Sequence, residues 1–127
     1  MVYVLLAEGF EEVEALTPVD LLRRAGVETR LVGVTGATVC GAGGINVVTD
    51  LSMDEVDLAK ADMLVLPGGM PGTTNLAKSP AVEALVRRTL EHGGRVAAIC
   101  AAPSVLAQYG LLAGRRATCY PGFESRC

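Results

Sequence analysis

The chain has 127 residues, half of them hydrophobic and 20% charged, a globular balance that fits one domain with a real core and excludes both two domains and a disordered chain. The formal net charge is −3, and the arginines come as isolated pairs (Arg23–Arg24, Arg87–Arg88, Arg115–Arg116), so no dedicated nucleic-acid or anionic-membrane surface is expected. Aromatic residues are scarce, which leaves the core to Val, Leu, Ala and Ile.

The opening "MVYVLLAEGFEE" turns acidic after a few apolar residues and lacks the charged start and length of a signal peptide. Val96–Ala107 is the longest weakly polar run, but it is too short for a membrane span and contains Pro103. Cys40, Cys100, Cys119 and Cys127 show neither a CxxC nor metal-ligand spacing. They read as free thiols in a cytoplasmic protein with no metal and no cofactor.

In chain order, the continuous apolar run Val2–Ala7 predicts a strand buried on both faces. Glu12 to Ala25 predicts a helix stopped by Gly26, and Glu28–Val34 a second strand. The Gly/Thr-rich residues 35–50, around "INVVT", predict a hairpin-like excursion. Asp62–Gly69 reads as another buried strand ended by a Pro-Gly-Gly turn. Ser79 and Pro80 form a strong helix start, and that helix runs to about His92. Arg95–Ile99 is the next strand, Pro103–Tyr109 the next helix, and "RATCY" (Arg116–Tyr120) the start of a further strand. This alternation through short Gly/Pro connections predicts a parallel α/β sheet with helices on both faces. Ending soon after a strand, the chain is expected to be a domain truncated at its C-terminal side.

Four stretches are candidate sites. Cys100 stands where a strand hands over to a helix, with Ala98 and Ala102 two positions to either side. Small-x-Cys-x-small is the clearance that a nucleophile elbow requires. Backbone N–H groups at the following helix start would favour the thiolate and lower the thiol pKa. A buried, inert cysteine among alanines satisfies the same pattern. In "LPGGMPG" (Leu66–Gly72), Gly68 and Gly69 can turn N–H groups toward a ligand, as an oxyanion hole needs, or form a plain turn. No Gly-Lys-Ser/Thr follows, which excludes a P-loop, and "GAGGIN" opens no helix, which excludes a dinucleotide fingerprint. The acidic cluster Glu8, Glu11, Glu12 and Glu14 complements a helix dipole, but crowded carboxylates can also raise one another's pKa. Helical phase does not choose among them. His92, the only histidine, is expected at the far edge of the sheet from Cys100, where it complements a helix C-terminus.

Together, "FEEVEALTPVDLLRRAG", "DMLVLPGG" and "AAICAAP" resemble the ThiJ/PfpI family, in particular its branch around the Parkinson-associated deglycase. The resemblance runs through all 127 residues as a single domain. It implies a flavodoxin-like three-layer α/β sandwich, usually homodimeric, with the C-terminal part of the family domain missing. It also implies Cys100 as the reactive cysteine, Glu14 as its protonated glutamate partner, and the backbone of Gly69 and Ala101 as oxyanion donors beside Gly68. The implied chemistry is glutathione-independent glyoxalase or deglycase action on methylglyoxal or glycated groups. The alternative is a non-enzymatic oxidative-stress sensor or chaperone that uses an oxidisable Cys100. A peptidase is the weaker option, because the protease-like branch usually has His directly after the nucleophile and Ala101 stands there. Tyr120 occupies the place of a histidine that the family often supplies, so Glu14 would carry more of the proton traffic.

Overall fold

The computed structural model describes all 127 residues. Strand β1 (Val2–Leu6) is buried along its whole length, as its unbroken apolar run requires of a central parallel strand. Helix α1 (Glu12–Arg24) starts on the Glu11 carboxylate, which accepts from the Val13 N–H, and ends with Arg23 and Arg24 against its negative pole. Strand β2 (Thr29–Gly33) returns beside β1. The glycine-rich stretch then forms an antiparallel hairpin, β3 (Thr38–Cys40) and β4 (Asn46–Val48), with the short β5 (Leu51–Ser52) after it. Strand β6 (Met63–Leu66), helices α2 (Gly72–Lys78) and α3 (Pro80–Glu91), strand β7 (Arg95–Ala98) and helix α4 (Pro103–Gln108) follow.

The five sheet strands lie in the order β5-β2-β1-β6-β7, and every pairing is parallel. Side-chain alternation divides the sheet into two faces. Tyr3, Leu5, Leu64 and Leu66 point toward α2, α3 and α4, meeting Leu76, Val82, Val86 and Val105. Val2, Val4, Leu6 and Val65 point toward α1 and the hairpin, meeting Ala15, Val19 and Val39. Each fully buried Leu or Val adds about 1.5–3 kcal/mol of transfer free energy, so the sheet centre dominates cohesion. The result is the three-layer, flavodoxin-like sandwich that the strand–helix alternation and the family resemblance point to.

The chain reverses its winding direction between β1 and β6. In open parallel sheets, the loops at the carboxyl ends of strands on either side of such a reversal diverge and leave a crevice. The register of β1 with β6 and of β6 with β7 (Val4↔Val65, Leu66↔Ala98) brings three strand ends to one level. The loops leaving them carry the acidic cluster, Gly68–Gly69 and Cys100.

One expectation needs correction, and one helix is an addition. Residues 116–120 form no strand. A strand needs a ladder, and this segment makes one backbone bond toward the sheet edge, Tyr120 N–H to the Cys100 carbonyl at 2.7 Å. Beyond "LPGGMPG" the chain enters α2, a helix that the sequence reading did not predict, where the Thr73 hydroxyl donates to the Gly69 carbonyl at 2.8 Å. No helix is long and apolar enough to cross a membrane.

Candidate active site

Cys100 is the only non-glycine residue with positive φ, at 63°. A left-handed backbone at a residue with a Cβ costs roughly 1–2 kcal/mol, and such strain persists only where the surroundings impose it. Here they do. Ile99 N–H donates to the Leu66 carbonyl at 3.2 Å and Ala102 N–H to the Ile99 carbonyl at 3.0 Å, closing the turn from both sides. Ala101 and Ala102 are buried beside it.

Two backbone N–H groups, of Ala101 and Gly69, are directed at the Cys100 sulfur. Their aim follows from peptide planarity, because the C=O and N–H of one trans peptide point in opposite directions. The 68–69 peptide is fixed by its carbonyl, which accepts from the Glu11 N–H at 2.9 Å. The 100–101 peptide is fixed by the Tyr120 N–H on the Cys100 carbonyl. In each case a bond on the far side turns the near N–H inward.

Gly68 lies between Glu14 and Cys100. A Cβ there would stand 2.6 Å from Glu14 Oε1 and 2.7 Å from the Cys100 Cβ, so only glycine allows the carboxylate and the thiol to approach. Gly69 has φ 91°, and a Cβ would strike the Glu11 N–H that orients its peptide.

The structure separates the four carboxylates that helical phase left equivalent. Glu8 accepts from the Cys40 N–H at 3.0 Å, and Glu11 caps α1. Glu12 is buried and accepts from the N–H groups of Gly43 and Ile45, at 2.8 and 3.2 Å, pinning the hairpin loop. The Gly43 N–H is the main cause of a Glu12 pKa held below the usual carboxylate value. Glu14 alone turns to the crevice, accepting from the Gly68 N–H at 3.0 Å and lying within hydrogen-bonding reach of Cys100.

The expectation of a lowered thiol pKa is overturned. Burial pushes the Cys100 thiol up, the neighbouring Glu14 charge and hydrogen bond add to the rise, and the Ala101 and Gly69 N–H groups offset only part of it. A carboxylate in contact outweighs two amide dipoles. A thiol against a carboxylate and a thiolate against a carboxylic acid carry the same total charge, and differ by one proton moved along the hydrogen bond.

His92 caps the C-terminus of α3, near Asp62 and the chain's amino group at the opposite edge of the sheet. The Tyr120 ring is 55% exposed and packs edge-on against Phe123, so this residue reaches the crevice through its N–H. Sequence reasoning missed that donor, and no residue-type signal could reveal a backbone group. The Glu12 anchor was missed as well, although glycines at 41, 43 and 44 facing an acidic helix start are its trace.

A five-stranded parallel sheet with an acid and a strained cysteine at its winding reversal defines a class of α/β protein with a nucleophile-elbow thiol. The chain belongs to the DJ-1/PfpI family, whose pattern it matches over residues 1–127. It is 40% identical over 123 residues to protein dj-1beta of Drosophila melanogaster, covering 95% of this chain and 65% of the fly protein. The crystal structure of Drosophila DJ-1beta superposes with a TM-score of 0.93 at 38% identity, covering 98% of this chain and 68% of that one. A deglycase of Pyrococcus abyssi is 36% identical over 123 residues, 97% of this chain and 74% of the archaeal protein. The glutathione-independent glyoxalase DJR-1.2 of Caenorhabditis elegans is 34% identical over 113 residues, 89% of this chain and 60% of the worm protein. The chain thus spans less than two thirds of the length of the fly and worm relatives.

Proposed function

We propose that this chain carries the thiol centre of a glyoxalase- or deglycase-type enzyme acting on reactive carbonyls, methylglyoxal or glycated groups. The observation that carries the reading is the convergence on one sulfur of a strained backbone, two oriented N–H groups and one carboxylate. The names of the archaeal deglycase and the worm glyoxalase support it.

In this mechanism Cys100 Sγ attacks the aldehyde carbon as its proton passes to Glu14, and Glu14 returns that proton to the carbonyl oxygen, giving a hemithioacetal and a free carboxylate. The Gly69 and Ala101 N–H groups stabilise the developing oxyanion. For methylglyoxal, Glu14 then moves a proton from C1 to C2 through an enediol, leaving a lactoyl thioester. Water hydrolyses the thioester, releasing lactate and the thiol. Burial and the Glu14 charge raise the thiol pKa, and Glu14, the carboxylate beside the sulfur, serves as the base for the attack.

The rival reading, a non-enzymatic oxidative-stress sensor, uses the same sulfur, and selective oxidation of Cys100 by mild peroxide without carbonyl turnover would favour it. Four free thiols support a reducing, cytoplasmic setting. Val13 and Leu21, exposed on α1, support the homodimer. The deciding experiment is lactate formation from methylglyoxal by the full-length protein. Cys100→Ser should reduce it to background, and unchanged turnover would overturn the mechanism.

A further inference from the structure

Helices α2 and α4 begin alike. Each follows a loop that carries one of the two N–H donors, and each has a hydroxyl residue at its second position, Thr73 in α2 and Ser104 in α4. A Ser or Thr at a helix start commonly turns its oxygen to a free N–H as a cap. Both of these helices start without a side-chain cap, and the two hydroxyls donate backward, out of the helix. Thr73 Oγ1 donates to the Gly69 carbonyl at 2.8 Å, and Ser104 Oγ to the Ala101 carbonyl at 2.6 Å. Those carbonyls belong to the two residues whose N–H groups face Cys100.

The direction of an N–H group is secure only when the peptides on both sides of its residue are held, because φ and ψ turn between them. The peptide before Gly69 is held by the Glu11 N–H on the Gly68 carbonyl at 2.9 Å, and the peptide before Ala101 by the Tyr120 N–H on the Cys100 carbonyl at 2.7 Å. The peptides after them are held by Thr73 and Ser104. Each carbonyl accepts twice from one residue, from its N–H at 2.9 Å (Thr73) or 3.1 Å (Ser104), and from its hydroxyl. Gly69 gains most from the second anchor, since it stands at φ 91° and glycine moves freely through that region. Thr73 is 4% exposed and Ser104 9%, so water has little access to either bond.

We infer that Thr73 and Ser104 are positioning residues of the thiol centre, a matched pair of hydroxyls that hold the Gly69 and Ala101 amides in their direction toward the reacting atoms. Neither touches substrate, and each acts through the residue whose carbonyl it binds. The inference rests on the carbonyl chemistry proposed for Cys100, and extends it from the two donors to the groups behind them. Such donors matter most as the oxyanion develops, so a slackened donor lowers kcat more than it changes KM.

The test uses the full-length protein with Thr73→Val, which keeps the shape of the side chain, and with Ser104→Ala. In both, the carbonyl retains its N–H partner, so the helix start is preserved. In each variant kcat for lactate formation from methylglyoxal should fall about tenfold, with KM changed by less than about twofold. Thr73→Ser and Ser104→Thr keep a hydroxyl and should retain most of the turnover. Both residues border one cavity of about 390 Å³, which leaves room for the methyl group that Ser104→Thr adds.

A second readout needs no turnover. It is the pH midpoint for iodoacetamide alkylation of Cys100, followed on the tryptic peptide 96–115, in which Cys100 is the only cysteine. The midpoint should rise in Thr73→Val and Ser104→Ala, because N–H groups that aim less well stabilise the thiolate less, and should stay near the unsubstituted value in Thr73→Ser and Ser104→Thr. If the unsubstituted protein makes no lactate, the proposed function fails while the midpoints still decide the positioning role. Midpoints equal to the unsubstituted protein in both Thr73→Val and Ser104→Ala would overturn the inference, as would a loss of turnover of the same size in Thr73→Ser and Ser104→Thr.

Discussion

Replacing Cys100 by glycine and by alanine separates backbone strain from chemistry. Both variants lack the sulfur, so both should be inactive, and their difference in stability reports the elbow alone. Alanine keeps a Cβ at φ 63°, a penalty of about 1–2 kcal/mol that glycine does not carry. Glycine loses about 0.4–1 kcal/mol through the greater freedom of its unfolded chain. The net expectation is that Cys100→Gly is more stable than Cys100→Ala by about 0.5–1 kcal/mol, the reverse of the usual order in regular structure. For a domain of this size that is a melting-temperature gap of roughly 2–5 °C, measurable by calorimetry on the full-length protein. An alanine variant as stable as glycine, or more so, would refute the claim that the turn holds this residue in a left-handed conformation under strain.

Gly68→Ala puts a methyl group between Glu14 and Cys100, and a misplacement on the order of 1 Å in a reacting pair reduces turnover by roughly a hundredfold; steady-state kinetics with methylglyoxal would check it. Glu14→Gln removes the charge that helps to raise the thiol pKa, so the pH midpoint for alkylation of Cys100 should fall, although lactate formation is lost. Stability has the matching sign: because the folded thiol pKa lies above the unfolded value near 9.0, the thiol's contribution is fully present below that pH and fades as pH rises through the folded value. Tyr120→Pro deletes the N–H that orients the 100–101 peptide and should reduce kcat about tenfold or more, whereas Tyr120→Phe keeps that donor and should show much the smaller change. Thr89→Val should raise stability by about 1 kcal/mol in chemical denaturation, because the Thr89 hydroxyl is buried on α3 without a hydrogen-bond partner.

Much of the sandwich was legible because its elements carry local signals. Val2–Leu6 and Met63–Leu66 are apolar on both faces, and Ser79–Pro80 and Gly26 mark helix ends with their own chemistry. The failures fall where structure depends on a partner. "RATCY" has the composition of a strand, but strand formation is a property of a ladder, and only one hydrogen bond forms there. Helix α2 is seven residues with an uncharged start and no side-chain cap; it is held by Leu76 in the core and by the Thr73 hydroxyl on Gly69. Cys100 was legible as an elbow from two flanking alanines, but the direction of its thiol pKa was not. Dipoles at a helix start are implied by chain order, while a carboxylate arriving from another helix is a tertiary contact.

The acidic cluster shows what a site asks of a sequence beyond its reactive residues. Four glutamates within seven residues look redundant, yet each is bound to a different backbone group: Glu8 to Cys40, Glu11 to the start of α1, Glu12 to the hairpin loop and Glu14 to Gly68. Three of them act on the frame. Glu11 contributes twice, since its carboxylate caps the helix that carries Glu14 while its N–H turns the Gly69 amide toward sulfur. Glu12 ties the hairpin to the first turn of that same helix, limiting how far α1 can shift along the sheet. Glu14 is left as the one carboxylate beside the thiol, and its position depends on Glu11 and Glu12. A substitution at Glu11 should therefore impair the centre although Glu11 meets no substrate. Its signature would be a loss in kcat with the pH dependence retained, because the base is still Glu14 and only its distance from sulfur has changed.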